Sequence, residues 1–202
     1  MLTRRDIRIK VMQAIYAFIQ SDNNRMDYGE TKLLESIDKI HNLFIWQLSL
    51  LQETAEFARR RIEENSQKML PTPEDLDPNR RFVNNSLIIS LEENRDFISF
   101  REKYKVNWSL QEEIIRKLFN DLRNSDDYHN YMKAERNDFE DDRNIVLYII
   151  RNLLVSYELL QYFYEEMDIN WVDDYDTVLI LLERTIKGWK PGQDAYEHLP
   201  SL

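Results

Sequence analysis

Glu30 to Lys68, ETKLLESIDKIHNLFIWQLSLLQETAEFARRRIEENSQK, is the stretch that decides the fold. Its apolar positions include Leu33, Ile37, Ile40, Phe44, Leu48, Leu51, Ala55, Ala58 and Ile62, in steps of 4, 3, 4, 4, 3, 4, 3 and 4. This is one sustained stripe at the helical period. At 1.5 Å per residue the helix would run roughly 55–60 Å. That exceeds what a compact domain of this size needs and leaves room for a kink or break. A helix with one apolar stripe buries it against other helices. The expectation is an all-α helical bundle with this long amphipathic helix as its spine.

The pattern stays helical on either side. Arg4 to Ser21 reads as the first helix, with Thr3 as N-cap and Asp6 in the capping-box position. Asp22 to Gly29 reads as a polar connection. Leu70 to Arg80 (LPTPEDLDPNR) holds three of the five prolines and reads as a helix stop and linker. Phe82 to Glu93 is amphipathic, and Asn94 to Lys103 can continue it. Ser109 is expected to cap a helix to Asn124, with Glu112 completing the box. Ser125 to Arg136 reads as a short polar helix. Glu140 to Glu166 is apolar along Ile145, Ile149, Leu153 and Tyr157. Asp173 to Lys187 reads as the last helix, after a Trp171-Val172-Asp173-Asp174 turn and before Gly188 as its C′ residue. Residues 1–187 are thus expected to form a single helical domain, with 188–202 as an irregular tail. The sequence shows no internal repeat and no low-complexity tract.

Composition excludes several function classes. The 202 residues include only 3 Gly, at 29, 188 and 192, so neither G-x-G-x-x-G nor G-x-x-x-x-G-K-[ST] can be written. The absence of Cys removes disulfides, thiol nucleophiles and Cys-based zinc sites, which fits a reducing cytosol. A 43% hydrophobic content is enough to build a packed core. The longest apolar run is Ile145 to Ile150 (IVLYII), far short of the ~20 residues of a membrane span. The basic N-terminus mimics a targeting segment, but Asp6, Lys10 and Gln13 interrupt any apolar region and no small-residue cleavage site follows. A cytoplasmic protein is the expectation.

Charge is distributed unevenly. The chain carries −10 overall, yet Arg4, Arg5, Arg8 and Lys10 against Asp6 give the first ten residues +3, leaving −13 for the other 192. Such a body repels nucleic acid, so any nucleic-acid contact would have to be local and partner-assisted. Arg4, Arg8, Val11, Ile15 and Ile19 share one helical face, with Lys10 and Gln13 on the opposite side. The arginines would then emerge at the rim of the packed bundle. Two readings follow. The arginines pair with carboxylates of the acidic body, where an exposed pair contributes about 0–1 kcal/mol. Alternatively they contact phosphates or stacked bases of single-stranded RNA, which suits the planar guanidinium fork. A basic first turn opposes the helix macrodipole, so stabilising this helix is not its purpose.

Leu2 to Ser21, LTRRDIRIKVMQAIYAFIQS, resembles the N-terminal helix of the NusB family of bacterial transcription antitermination factors, whose pattern is close to R-R-x-x-R-x-x-x-x-Q-A-L-Y. Arg4, Arg5, Arg8, Gln13, Ala14, Ile15 and Tyr16 fall in register with it. The resemblance implies an all-helical, non-enzymatic protein that binds boxA-like RNA together with a small-subunit ribosomal protein in the NusE role. By position, the RNA-binding role falls on Arg4, Arg5 and Arg8, with Lys10 and Tyr16 as further candidates. The match covers about 20 residues. Residues 22 to 187 resemble the acidic insertion of longer members, and the family's C-terminal half with its F-V-N-G-x-L-type motif is not visible. Arg81-Phe82-Val83-Asn84-Asn85-Ser86-Leu87 resembles that motif only loosely, with Asn85 in place of the glycine. The chain is therefore expected to be an N-terminal fragment or a short variant.

Other motifs point to structure. Arg59, Arg60 and Arg61 fan over ~200° of a helix and cannot form one patch. Glu56, four residues before Arg60, supports a solvated face there. Asp38-x-x-His41 and Asp126-x-x-His129 have a carboxylate–His spacing used in di-iron bundles, but such sites need further inward carboxylates, and no metal or cofactor is expected. Glu140-Asp141-Asp142 and Asp173-Asp174-Asp176 suit helix N-termini. Trp46, Trp108, Trp171 and Trp189 are expected as core or interface anchors. No catalytic motif or nucleophile–base pair is apparent, so the chain is not expected to be an enzyme. The alternative to the RNA reading is a helical adaptor that binds protein only, through the long-helix stripe or an exposed aromatic face.

Overall fold

A computed structural model of the chain describes residues 2–21, 25–135 and 138–190. Those residues form an all-α bundle. Its helices are α1 (Arg4–Gln20), α2 (Met26–Ser66), α3 (Pro73–Leu76), α4 (Ser86–Glu92), α5 (Arg95–Lys103), α6 (Glu112–Arg123), α7 (Asp126–Lys133), α8 (Phe139–Tyr148), α9 (Glu158–Met167) and α10 (Asn170–Gly188). A π-helical segment, Ile149–Leu154, extends α8. No strand occurs among the described residues. The expectations for residues 22–24, for the end of the short polar helix at Arg136 and for the tail from 191 onward lie outside the described residues.

The spine expected from the sequence is present. α2 runs unbroken for 41 residues, about 60 Å at the α-helical rise. Every residue from Leu43 to Leu51 is buried, so its central turns are covered on all sides. α10, α6, α1, α5 and α4 all pack on it. Trp46 sits at the centre of an aromatic cluster, with ring centroids 5.0 Å from Trp108 and 5.6 Å from Phe163. The indole N–H of Trp108 donates to Ser49 Oγ at 2.8 Å, and Ser49 Oγ donates to the Trp46 carbonyl at 2.7 Å. A polar side chain on the buried face is thereby satisfied. All four tryptophans are buried.

Several boundaries differ from the sequence reading, each for a local reason. The connection expected at Asp22–Gly29 is shorter, because α2 already begins at Met26 and Gly29 lies inside its first turns. A Cβ at Gly29 would lie 3.1 Å from Cδ2 of Phe18, so glycine is what lets α1 and α2 approach here. The proline-rich linker contains α3, capped by Thr72 and Asp75 in a capping box. Phe82 to Asn84 is a turn, and Asn85 and Asn94 cap α4 and α5 separately, which splits the expected 82–103 helix. Lys105, at φ 53°, closes α5 in the left-handed region. Ser109 does not cap α6. Its hydroxyl and N–H both bond to Asn107 Oδ1, at 2.6 and 2.9 Å, and α6 starts at Glu112.

The expected helix from Glu140 to Glu166 is broken at Val155–Tyr157. Two tyrosine hydroxyls, one from the break and one from α10, bond to backbone carbonyls here. Tyr175 donates to the Leu154 carbonyl at 2.7 Å, and Tyr157 donates to the Ile114 carbonyl at 2.5 Å. The Tyr175 bond serves a carbonyl at the end of the π-helical segment, and the Tyr157 bond ties the break to α6. The last helix starts earlier than read, so the Trp171–Asp174 stretch is its first turns, and Gly188 ends it from inside rather than as C′.

Buried carboxylates hold the far end of the bundle. Asp142, 2% exposed, accepts from the Ser86 N–H at 2.7 Å, Ser86 Oγ at 2.6 Å and the Tyr131 hydroxyl at 2.6 Å. Asn85 Nδ2 donates to the Asp142 carbonyl at 2.9 Å, while its Oδ1 accepts from the N–H groups of Leu87 and Ile88. Arg81 lies 4.4 Å from the Tyr131 ring and donates to the Ala134 carbonyl and to Asp141. The Arg81–Leu87 segment is thus an interlocked joint between α4, α7 and α8.

Candidate nucleic-acid interface

α1 begins with a complete capping box. The Thr3 side chain accepts from the Asp6 N–H at 3.2 Å, and Asp6 Oδ2 accepts from the Thr3 N–H at 2.9 Å and from Thr3 Oγ1 at 2.6 Å. Asp6 is therefore committed to the helix start and leaves the neighbouring arginines alone. Arg4, Arg5 and Arg8 are all exposed, and none of them makes an ion pair among the described residues. Carboxylate pairing, one of the two readings of this cluster, is not found among the described residues.

The helix is docked by a different face from the one the apolar spacing suggested. Lys10 is its buried residue, and Ala14 and Phe18 follow at steps of four toward the body. Lys10 Nζ lies 2.7 Å from Oδ1 and 2.8 Å from Oδ2 of Asp174 on α10. The expectation that Lys10 projects from the solvated side is thus corrected: Asp174 receives it inside. Burial pushes the Asp174 carboxyl up, even though the Lys10 hydrogen bond and charge pull it down. Leu2 is also buried.

The opposite face is open. Met12, Ile15, Tyr16 and Ile19 are 68%, 50%, 65% and 73% exposed, and Ile7 and Ile9 are exposed as well. The stripe read as core-facing is therefore a surface. Arg5, Arg8, Met12 and Tyr16 lie along it in steps of 3, 4 and 4, so cations, an apolar patch and an aromatic ring form one continuous strip. The Tyr16 hydroxyl accepts from Gln20 Nε2 at 2.7 Å, which holds the ring against the helix surface. Of the five candidate residues, Arg4, Arg5, Arg8 and Tyr16 are brought to this outer side and Lys10 is not.

Under the inner side lies a cleft of about 330 Å³ lined by Lys10, Gln13, Phe18, Tyr28, Lys32 and Asn170, among others. Asp174 was missed as a site residue because its partner is 164 positions away and no local signal marks it. Asp38 and His41 both bond to the Tyr104 hydroxyl, at 2.8 and 2.9 Å, and His129 Nδ1 is 2.7 Å from the Ser125 carbonyl. Among the described residues no group of three or more His, Asp or Glu side chains is placed to hold a metal ion. Nor is any helix of the described residues long and apolar enough to cross a membrane. The Arg59–Arg61 run is spread around the helix, but Glu56 pairs with Arg59 rather than with Arg60; Arg59 also meets Glu92, while Arg60 and Arg61 lie near the Phe57 ring.

No protein-family model, curated protein or solved structure matches this chain.

Proposed function

We propose that the chain is a bacterial transcription antitermination factor of the NusB type, cytoplasmic and non-enzymatic, which binds boxA-like single-stranded RNA through α1. Arg4, Arg5 and Arg8 hold phosphates and Tyr16 offers a stacking face. Lys10 acts differently, fixing the helix to Asp174 so that the outer strip keeps its orientation. The observation that carries the reading is the trio of exposed guanidinium groups, without an ion pair among the described residues, on a protein of net charge −10. Carboxylates abound in this chain, and three neighbouring arginines that pair with none among the described residues keep their charge available to an anionic ligand. The anionic remainder disfavours nonspecific nucleic acid, so affinity depends on this local contact and on a partner. That partner is a small-subunit ribosomal protein in the NusE role. The reading is tested by fluorescence anisotropy with boxA-like RNA and a scrambled RNA of equal length, in the presence of the partner. Preferential binding of the boxA-like RNA, abolished by Arg4→Glu with Arg8→Glu, is the expected result. Equal binding of the two RNAs overturns it.

The exposed Met12, Ile15 and Ile19 favour a second reading, a helical adaptor that binds protein alone. It requires a stable protein complex by light scattering without RNA and no RNA dependence of its assembly.

A further inference from the structure

A second cleft lies between α9 and the first turns of α10, with a volume of about 470 Å³. On α9, Glu158, Tyr162 and Glu165 recur at steps of four and three, and on α10 Val172 and Asp176 are four apart, so each helix turns one face to the cleft. Its floor is aromatic: Tyr164, Trp171 and Tyr175 are buried, with the Tyr164 ring centroid 5.5 Å from that of Trp171 and 6.1 Å from that of Tyr175. Tyr162, 63% exposed, stands at the mouth.

Three features of this cleft point to one ligand chemistry. Every charged residue lining it is an acid, namely Glu158, Glu165 and Asp176. None of the three makes an ion pair among the described residues, although other carboxylates of α10 do, Asp174 with Lys10 and Glu183 with Arg151. Finally, Tyr164 and Trp171 are 1% and 2% exposed and line the cleft, and the hydroxyl of the one and the indole N–H of the other have no hydrogen-bond partner among the described residues. Buried polar groups without a partner are costly; the hydroxyl can accept a hydrogen bond from the N–H of an organic cation, and the indole can donate to a carbonyl carried by the same ligand. Aromatic faces and carboxylates together recognise an organic cation, the first through the ring quadrupole and the second through charge-assisted hydrogen bonds.

We propose that the α9–α10 cleft is a binding site for an organic cation, a guanidinium or alkylammonium group, held by Glu158, Glu165, Asp176 and Tyr162 at the rim and by Tyr164 within. The group belongs either to an arginine or lysine side chain of a polypeptide or to a free polyamine; both present the same chemistry. The site does not depend on the RNA reading of α1.

The test uses the full 202-residue chain, labelled with nitrogen-15 and titrated with N-acetyl-arginine amide, with spermidine and with uncharged N-acetyl-glutamine amide. At least one cation should shift backbone amides between Glu158 and Asp176 and the indole N–H of Trp171, and the glutamine amide should shift none. Glu158→Gln with Glu165→Gln and Asp176→Asn should weaken the cation about tenfold. Glu63→Gln with Glu64→Gln and Glu74→Gln, an equal charge change on exposed residues elsewhere, should leave it unchanged. Tyr162→Ala, at an exposed position that does not threaten folding, should weaken it as well. Tighter binding of the arginine amide assigns the site to a polypeptide side chain, and tighter binding of spermidine assigns it to a free polyamine. No shift with either cation, or equal weakening by the two triple variants, overturns the proposal.

Discussion

Lys10 on the first helix and Asp174 on the last form an ion pair at 2.7 Å, with side chains 10% and 6% exposed, across 164 positions of sequence. This pair decides which face of α1 meets the body and which meets solvent. Removing one partner leaves the other charge buried and unpaired. Lys10→Met is therefore expected to destabilise the protein by about 3 kcal/mol in urea unfolding. Adding Asp174→Leu, which replaces both charges by apolar groups, should bring stability back to within about 1 kcal/mol of the original. Single variants without effect would show that the pair does not fasten the helix.

The outward face of α1 gives an opposite expectation. Ile15→Glu with Ile19→Glu alters two exposed side chains, so stability should stay within about 0.5 kcal/mol per substitution. Phe18→Ala removes a half-buried ring that packs over Gly29 and should cost about 2 kcal/mol. If the exposed strip binds a protein partner, the double glutamate variant loses that partner in a co-sedimentation assay while remaining folded.

The Asp142 joint should respond in proportion to the bonds removed. Asp142→Ala strips three acceptor contacts from Ser86 and Tyr131 and is expected to cost about 3 kcal/mol. Ser86→Ala removes only the hydroxyl and should cost about 1 kcal/mol. The double variant should cost less than the sum, because the two share the same carboxylate oxygen.

His41 supplies a pH dependence. Its ring lies against Phe100 at 4.4 Å, and its Nδ1 is 2.9 Å from the Tyr104 hydroxyl. Burial lowers its pKa, the Lys103 charge lowers it further, and Asp38 opposes both. The folded state thus holds the neutral ring, whereas the unfolded chain takes up the proton near its ordinary value of about 6.5. The stability associated with neutral His41 is complete above that value and is lost as pH falls through the lower folded one. Asp38 titrates in a separate, more acidic window. Burial raises its carboxyl, but hydrogen bonds from Lys103 and Tyr104 outweigh this and leave it lowered. Thermal melts between about pH 7.5 and 5.5 should show a fall in Tm that His41→Gln reduces.

What could be read from sequence was what depends on near neighbours. The Leu33–Ile62 stripe was legible because burial of a helix follows its own period, and the Thr3–Asp6 box because donor and acceptor lie within one turn. The Arg4–Arg5–Arg8 tip was expected at the rim of the packed face, and it is exposed on a helix that docks by its other side. The docked face of α1 was not legible. Apolar spacing favoured Ile15 and Ile19, and only the tertiary position of Asp174 explains why a lysine turns inward. The break after Leu154 was hidden for a related reason, since the Tyr175 hydroxyl that takes its carbonyl belongs to another helix. The acidic aromatic cleft likewise exists only once α9 and α10 are side by side.

The salt dependence of RNA binding tests the central claim most directly. Single-stranded RNA gives a slope of log K against log salt of about −0.7 for each phosphate neutralised. If Arg4, Arg5 and Arg8 each hold one, Arg4→Ala with Arg5→Ala and Arg8→Ala reduces the magnitude of the slope for boxA-like RNA by about 2, with the helical circular dichroism unchanged. A slope that is the same in the triple variant and the original protein would mean that these arginines hold no phosphate, and would contradict the account.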